Sequence, residues 1–229
     1  MKFNYSTLDN CETAKGVVLI IDVLRAFSTA AYAFSRGAKE IFLVSSVEEA
    51  LELKSKISNT KAMGEVGGLP PKGFDFGNSP TQILEHDLTG ITLIQRTGAG
   101  TQGAVRSKNA DVMLATSFVV AQATVNYVIK LKPNEITFVI TGGMNNDEDV
   151  ACAEFLEKLL KGYKPDNKSF IKRVYESNDA VEHLDPNQPE FPETDLDYCT
   201  RINAFDFAMP ITRENNQLVM RAVKIIRRF

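Results

Sequence analysis

Gly16-Val-Val-Leu-Ile-Ile-Asp22 is a continuous apolar run that ends on a carboxylate. It has no polar/apolar alternation, so it predicts a strand buried on both faces, as in a parallel sheet. Downstream, Ala26–Arg36 predicts a helix with small residues toward the sheet, closed by Gly37. Glu40–Val44 predicts a second buried strand. Ser46–Ile57 predicts a second helix, with Ser46 as its cap and Glu48 and Glu49 in its first turn. Strand–helix–strand–helix is the pattern of a parallel sheet covered on both faces. The pattern resumes at Ile91–Gln95, Gly100–Ser107, Asp111–Ala115, Ser117–Leu131, Glu135–Thr141 and Asp147–Leu160.

An offset of 72 pairs Thr29 with Thr101, Ser35 with Ser107, Ala38 with Ala110 and Val47 with Val119. This suggests two similar βαβ units, residues 16–60 and 90–132, within one domain spanning 1–229. Between them lies Met63–Pro80, MGEVGGLPPKGFDFGNSP, with five glycines and three prolines in 18 residues. That density breaks regular structure, while Phe74 and Phe76 set it apart from a disordered segment; an ordered functional loop is expected. The C-terminal extension, 165–229, is less regular. Asn167–His183 and Asp195–Ala204 read as helical, and Leu184–Thr194, with three prolines, as a loop. Phe207–Thr212 and Gln217–Ile226 read as a β-hairpin about Glu214-Asn215-Asn216 that extends the sheet or covers an edge. The fold class is therefore three-layer α/β/α with a mostly parallel sheet and a C-terminal hairpin.

The 26 Lys and Arg against 29 Asp and Glu give a net charge of −3, against the basic face a nucleic-acid scaffold needs. The basic tail Lys224, Arg227 and Arg228 reads as a solvated end. Val17–Ile21 is far too short to span a bilayer, and the N-terminus has no secretory pattern. Three scattered cysteines, Cys11, Cys152 and Cys199, suit a reducing cytoplasm rather than a disulfide framework. With two histidines, a metal here would be held by oxygen ligands, which points to magnesium or another hard cation. A symmetric homodimer is the commonest expectation for such a chain.

Ligands of parallel α/β sheets bind beyond the carboxyl ends of the strands. Those ends carry Asp22 and Arg25, with Ser28 and Thr29 just beyond, then Arg96-Thr97-Gly98-Ala99-Gly100-Thr101, and Thr141-Gly142-Gly143 before Asp147, Glu148 and Asp149. The long loop adds Glu65, Asp75, Asn78 and Ser79. The 96–101 segment has the small residues and helix start of an anion site, though a tight turn explains it equally; it is neither a Walker A loop nor a dinucleotide fingerprint. Asp22 is a magnesium ligand or, alternatively, a helix cap or a partner of Arg25. Leu24, where an aspartyl phosphatase has its second Asp, disfavours Asp22 as nucleophile. Asp147, Glu148 and Asp149 are also explained in part by the helix dipole. Cys152 reads as a buried structural cysteine, and His183 as a surface residue rather than a base.

Together, VVLIIDVLRAFSTAAYAFSRGAKEIFLV, MGEVGGLPPKGFDFGNSP, QRTGAGTQGAV and DEDVACAEFL, in this order over roughly residues 16–160, resemble the 2-phosphosulfolactate phosphatase (ComB) family. Phe205-Asp-Phe-Ala-Met-Pro210 looks like what bacterial members carry. The resemblance implies a magnesium-dependent phosphomonoesterase, unrelated in fold to the haloacid dehalogenase phosphatases. It would hydrolyse (R)-2-phospho-3-sulfolactate to 3-sulfolactate and phosphate on the way to coenzyme M. The alternatives are another small phosphomonoester, or a non-catalytic anion-binding protein of the same fold. The family's motif residues carry over as Asp22, Arg25, Ser28, Thr29, Glu65, Gly73, Asp75, Asn78, Ser79, Thr97, Gly100, Thr101, Glu148, Asp149 and Cys152. The RTGAGT turn departs from the TTNGT-like form of other members, which bears on substrate identity. On this reading Asp22, Glu65, Asp75 and Asp149 hold magnesium. Arg25, Arg96 and the backbone at Thr97–Thr101 stabilise the phosphoryl group. Asn78 and Ser79 position the substrate, whose second acidic group meets Arg25 or Lys72. Glu65, Asp75 and Glu148 compete as general acid.

Overall fold

The structure is a computed structural model that describes residues 1–145 and 147–225. In chain order the strands are β1 (Lys2–Thr7), β2 (Val17–Ile21), β3 (Glu40–Leu43), β4 (Thr60–Gly64), β5 (Thr92–Arg96), β6 (Val112–Thr116), β7 (Glu135–Ile140), β8 (Phe207–Glu214), β9 (Gln217–Met220) and β10 (Val223–Lys224). The helices are α1 (Ala26–Ser35), α2 (Val47–Lys56), α3 (Pro80–Leu84), α4 (Gly100–Arg106), α5 (Ala121–Leu131), α6 (Asp147–Leu160), α7 (Asn167–Tyr175), α8 (Ala180–Leu184) and α9 (Thr194–Cys199). Helix α2 starts as its sequence dictates: Ser46 accepts the N–H of Glu49, with Glu48 and Glu49 in the first turn.

One mixed, mostly parallel sheet runs β1-β7-β2-β6-β8-β9-β3-β5-β4, with β10 paired to β8. The C-terminal hairpin is therefore neither an edge strand nor a cover. It is the seam between two parallel sets, β7-β2-β6 and β3-β5-β4, and both of its strands pair antiparallel to their neighbours. Phe207–Ile211 is buried throughout, because a strand inside a sheet covered on both faces needs no polar alternation. The turn is a two-residue Asn215-Asn216 loop with both residues at positive φ, as tight hairpins require. The second hairpin strand stops at Met220, and β10 folds back on Phe207 and Ala208. Ile226, Arg227 and Arg228 lie outside the described residues.

Other differences are local. Strands β1 and β4 add to the expected set. The 167–183 helix is two helices, and the 195–204 helix stops at Cys199. The 117–131 helix starts as a 3-10 turn over Phe118–Val120.

The two parallel sets run in opposite directions along the sheet, yet their carboxyl ends meet. Gln95 Nε2, on β5, donates to Ala26 O at the start of α1, after β2 (2.9 Å). Strand twist of about 20–25° per step, summed over the five steps from β2 to β5, curls one set over the other. The concave face encloses α1, which is buried from Ala26 to Phe34 together with Val18, Ile41, Leu93, Met209 and Met220. The convex face is covered on one side by α5, α6 and α7, and on the other by α2. No described helix is long and apolar enough to cross a membrane.

Candidate active site

The curl brings the turn after β2 against the turn after β5. Asp22 Oδ1 accepts the N–H of Ala26 (2.8 Å) and so caps α1, and the N–H of Gly100, at the start of α4, also faces its carboxylate. A Cβ at Gly100 would stand 2.7 Å from Asp22 Oδ2 and 2.8 Å from Ala26 Cβ, so only glycine allows the two helix starts to touch. The Leu24–Arg25 peptide is cis. The cap that offered an alternative to the ligand reading of Asp22 is thus real, and it leaves Oδ2 directed at the other turn.

Around Asp22 sits a buried acidic group. Burial pushes the Asp22 carboxyl up to about 7, aided by Glu65 and Asp179 and opposed by the two backbone N–H groups. Burial likewise pushes Glu148 up to about 8, with Asp179 and Asp22 adding to it. Glu148 is 1% exposed, and its Oε2 has no hydrogen-bond partner.

The four carboxylates expected around magnesium do not form one cluster, and among the described residues no three Asp, Glu, His or Cys side chains are grouped to hold a metal. Asp149 accepts the N–H of Val23 (2.8 Å) on one oxygen and that of Gly142 (3.1 Å) on the other, clasping the turn after β2. Glu65 accepts the N–H of Gly98 and that of Gly68, clasping the turn after β5. Asp75 is elsewhere: it lies along the outer edge of β4, accepts from Ala62 N and pairs with Lys54 (2.7 Å). Asp147 pairs with Arg173.

The 96–101 turn differs from the anion site expected of it. Thr97 N donates to Thr101 Oγ1 and Thr101 N to Thr97 Oγ1, while Gly98 N and Gly100 N face Glu65 and Asp22. The anions it binds are the protein's own. Arg96 Nη1 donates to Glu65 O, and its Nε is buried without a partner. Ser28 Oγ donates to Val23 O, and Thr29 Oγ1 is buried unpaired. Both side chains are fully buried in α1, away from any opening.

A cleft of about 420 Å³ opens at Arg25, three residues beyond Asp22, and is lined by Arg25, Gly68, Asn78, Ser79, Glu85 and Glu190 among others; Asp22 and Glu148 do not line it. Arg25 is 4% exposed; its Nη1 donates to Asp195 Oδ2 (2.8 Å) and Glu190 O (2.9 Å), and its guanidinium lies 4.5 Å from the Phe191 ring centroid. Asn78 Oδ1 is buried without a partner. Ser79 Oγ donates to Asp195 Oδ1 and also caps α3. Gly68, at φ +82°, leaves room for Phe191, whose Cζ would lie 2.3 Å from a Cβ there. Lys72 is exposed on the loop and does not line the cleft.

Cys152 is buried, and burial holds its thiol well above the ordinary value, so it is structural as expected. His183 is not a surface residue. It is 4% exposed, packs edge-on against Phe191, bonds Pro192 O through Nδ1, and burial lowers its pKa.

Three participants have no sequence signal: Asp179, Asp195 and Phe191. Asp195 stands in the first turn of a helix, where the dipole already accounts for an acid, and Phe191 sits between prolines that mark only a loop.

A sequence model of the 2-phosphosulpholactate phosphatase family matches residues 4–214. The chain belongs to this family. The family consists of phosphoric monoester hydrolases. A probable 2-phosphosulfolactate phosphatase of Bacillus subtilis is 35% identical over 198 residues, covering 86% of this chain and 87% of its own. A protein of the same name from Carboxydothermus hydrogenoformans is 31% identical, covering 92% of each. Another, from Thermotoga maritima, is 29% identical over 85% of this chain and 87% of its own.

Proposed function

We propose that this chain is a cytoplasmic, magnesium-dependent phosphatase that hydrolyses a small phosphorylated acid, (R)-2-phospho-3-sulfolactate, to 3-sulfolactate and phosphate. The observation that carries the reading is the partnerless, buried Glu148 Oε2 beside Asp22, on the same turn as Arg25, which with Asn78 and Ser79 lines a cleft. Magnesium is commonly held by one or two carboxylates, the rest of its shell being water and substrate phosphate, so Asp22 and Glu148 with Asp179 nearby suit it. When bound there it would offset the mutual repulsion of these carboxylates and polarise a phosphoryl oxygen.

The chain's own groups do the rest. Arg25 is fixed against Phe191 and Asp195, so its guanidinium is ready to meet an anionic oxygen without reorganising. Asn78 and Ser79 orient the ester in the cleft. Three buried free cysteines suit the cytoplasm.

The test is phosphate release from 2-phospho-3-sulfolactate, phospholactate and p-nitrophenyl phosphate, with magnesium and with EDTA. Release from the sulfolactate ester well above the others, abolished by EDTA, is expected. Preference for another ester would discard the substrate and keep the chemistry. EDTA-insensitive release would discard the magnesium.

A further inference from the structure

We propose that Asp195 is a positioning residue that sets Arg25 and Ser79 in the cleft. The proposal rests on the phosphatase reading above, in which those two side chains face the substrate. Asp195 is fully buried in α9, which the C-terminal third of the chain adds to the βα core. Its two oxygens divide the work. Oδ2 takes Arg25 Nη1 at 2.8 Å, and Oδ1 takes Ser79 Oγ at 2.8 Å and Thr81 N at 2.9 Å. One carboxylate therefore joins the turn after β2, the start of α3 and the C-terminal region, across sequence separations of 170 and 116 residues.

The arrangement does more than neutralise a buried charge. Both hydrogen bonds of the guanidinium leave from Nη1, to Asp195 and to Glu190 O, and one face of the group lies on Phe191. Three contacts fix its plane and keep the remaining N–H groups of the fork for a ligand. Ser79 is oriented by the same carboxylate, so the two cleft side chains move together or not at all.

Asp195→Asn separates the arms. The amide oxygen still accepts from Ser79 and Thr81, while the amide nitrogen meets Arg25 as donor against donor. We expect KM for the preferred ester to rise at least about tenfold with kcat within about threefold, because a binding contact is loosened and the acidic group is untouched. Inorganic phosphate, titrated by calorimetry, should bind about tenfold more weakly. Asp195→Glu, which keeps the ion pair and displaces its carboxylate by one methylene, gives the same split should the amide variant fail to fold. Wild-type KM and phosphate affinity in a folded variant would overturn the proposal, as would a fall in kcat alone. Wild-type protein that binds phosphate yet hydrolyses no ester, with Asp195→Asn binding it more weakly, would sink the catalytic reading and leave the positioning role standing. Wild-type protein that neither hydrolyses nor binds phosphate would overturn both.

Discussion

Asp22 and Thr97 hold the same place in the two halves of the sheet, each directly after the last residue of a strand, β2 and β5. Each accepts the N–H four residues on: Asp22 from Ala26 at 2.8 Å, Thr97 from Thr101 at 3.0 Å. The frames match further. Glu65, after β4, clasps the turn of the neighbouring β5, and Asp149, on the helix after β7, clasps the turn of the neighbouring β2. The strand order reads alike from either end once β1 and the hairpin are set aside, as a duplicated βαβαβ unit would make it. What differs is one charge. Threonine has a single oxygen, spent within its own turn. Aspartate has a second, directed at the opposite helix start and near Glu148. The cap is architecture in both halves; on the proposed function it is also chemistry in one.

The sharpest way to break this comparison is to erase the difference. Asp22→Thr puts the β5 solution on β2. The hydroxyl can still cap Ala26, so the protein should fold, and kcat for phosphate release should fall on the order of 10³-fold. Turnover within tenfold of wild type would mean that the cap is all Asp22 provides.

The charge should also be visible in stability. Asp22, Glu148 and Asp149 titrate higher in the folded chain than in the unfolded one, so the folded state holds more protons between about pH 4 and 8. Raising the pH through that window strips them at a cost, and stability falls. In EDTA, urea denaturation should show a loss on the order of 6 kcal/mol from pH 5 to 8. Magnesium should flatten that slope by binding the ionised pair. A slope unaffected by magnesium would remove these carboxylates from any cation site. The two clasps sharpen the contrast further. Asp149→Ala strands the buried N–H of Val23 and releases the exposed Gly142 N–H to water, and should cost about 2 kcal/mol, against about 1 kcal/mol for the half-buried Glu65→Ala, both read from urea midpoints. Equal costs would deny that the halves differ in burial where it matters.

Much of this frame was legible because buried strands and capped helices are written locally. Val17–Ile21 and Ser46-Val-Glu-Glu49 need no partner to be read. The place of the hairpin is not local. Phe207-Ala-Met-Pro-Ile211 has the unbroken apolar character of a central strand, but a hairpin at the end of a chain ordinarily adds to an edge, and only the opposed directions of the two halves require an antiparallel seam. The site divided the same way. Asp22, Arg25, Asn78, Ser79 and Glu148 stand at strand ends and loop exits, where sequence alone can place them. Asp195, Asp179 and Phe191 come from segments whose path over the sheet no local pattern encodes. An acid that accepts backbone N–H groups, as Asp149 and Glu65 do, looks the same in sequence as one that faces a cation.

Asp75 is the plainest case of that ambiguity, and its substitution should have the smallest effect. It sits in the most motif-like stretch of the chain, Gly73-Phe-Asp-Phe-Gly77, yet its carboxylate serves the outer edge of β4, where it takes the otherwise open N–H of Ala62 and the ammonium of Lys54. The segment itself pairs there, through Asp75 N to Ala62 O and the Met63–Phe76 bridge, so the side chain reinforces a contact that the backbone already makes. The ion pair is about a quarter exposed on each side, and pairs of that kind contribute roughly 0–1 kcal/mol. Asp75→Ala should therefore lower the urea-unfolding free energy by about 1 kcal/mol or less and leave kcat and KM within about twofold. Lys54→Ala should reproduce most of the stability loss, because both changes open the same edge. A fall in kcat comparable to that of Asp22→Thr would return Asp75 to the site; unchanged kinetics would confine the charged chemistry to the turn after β2 and the start of α6.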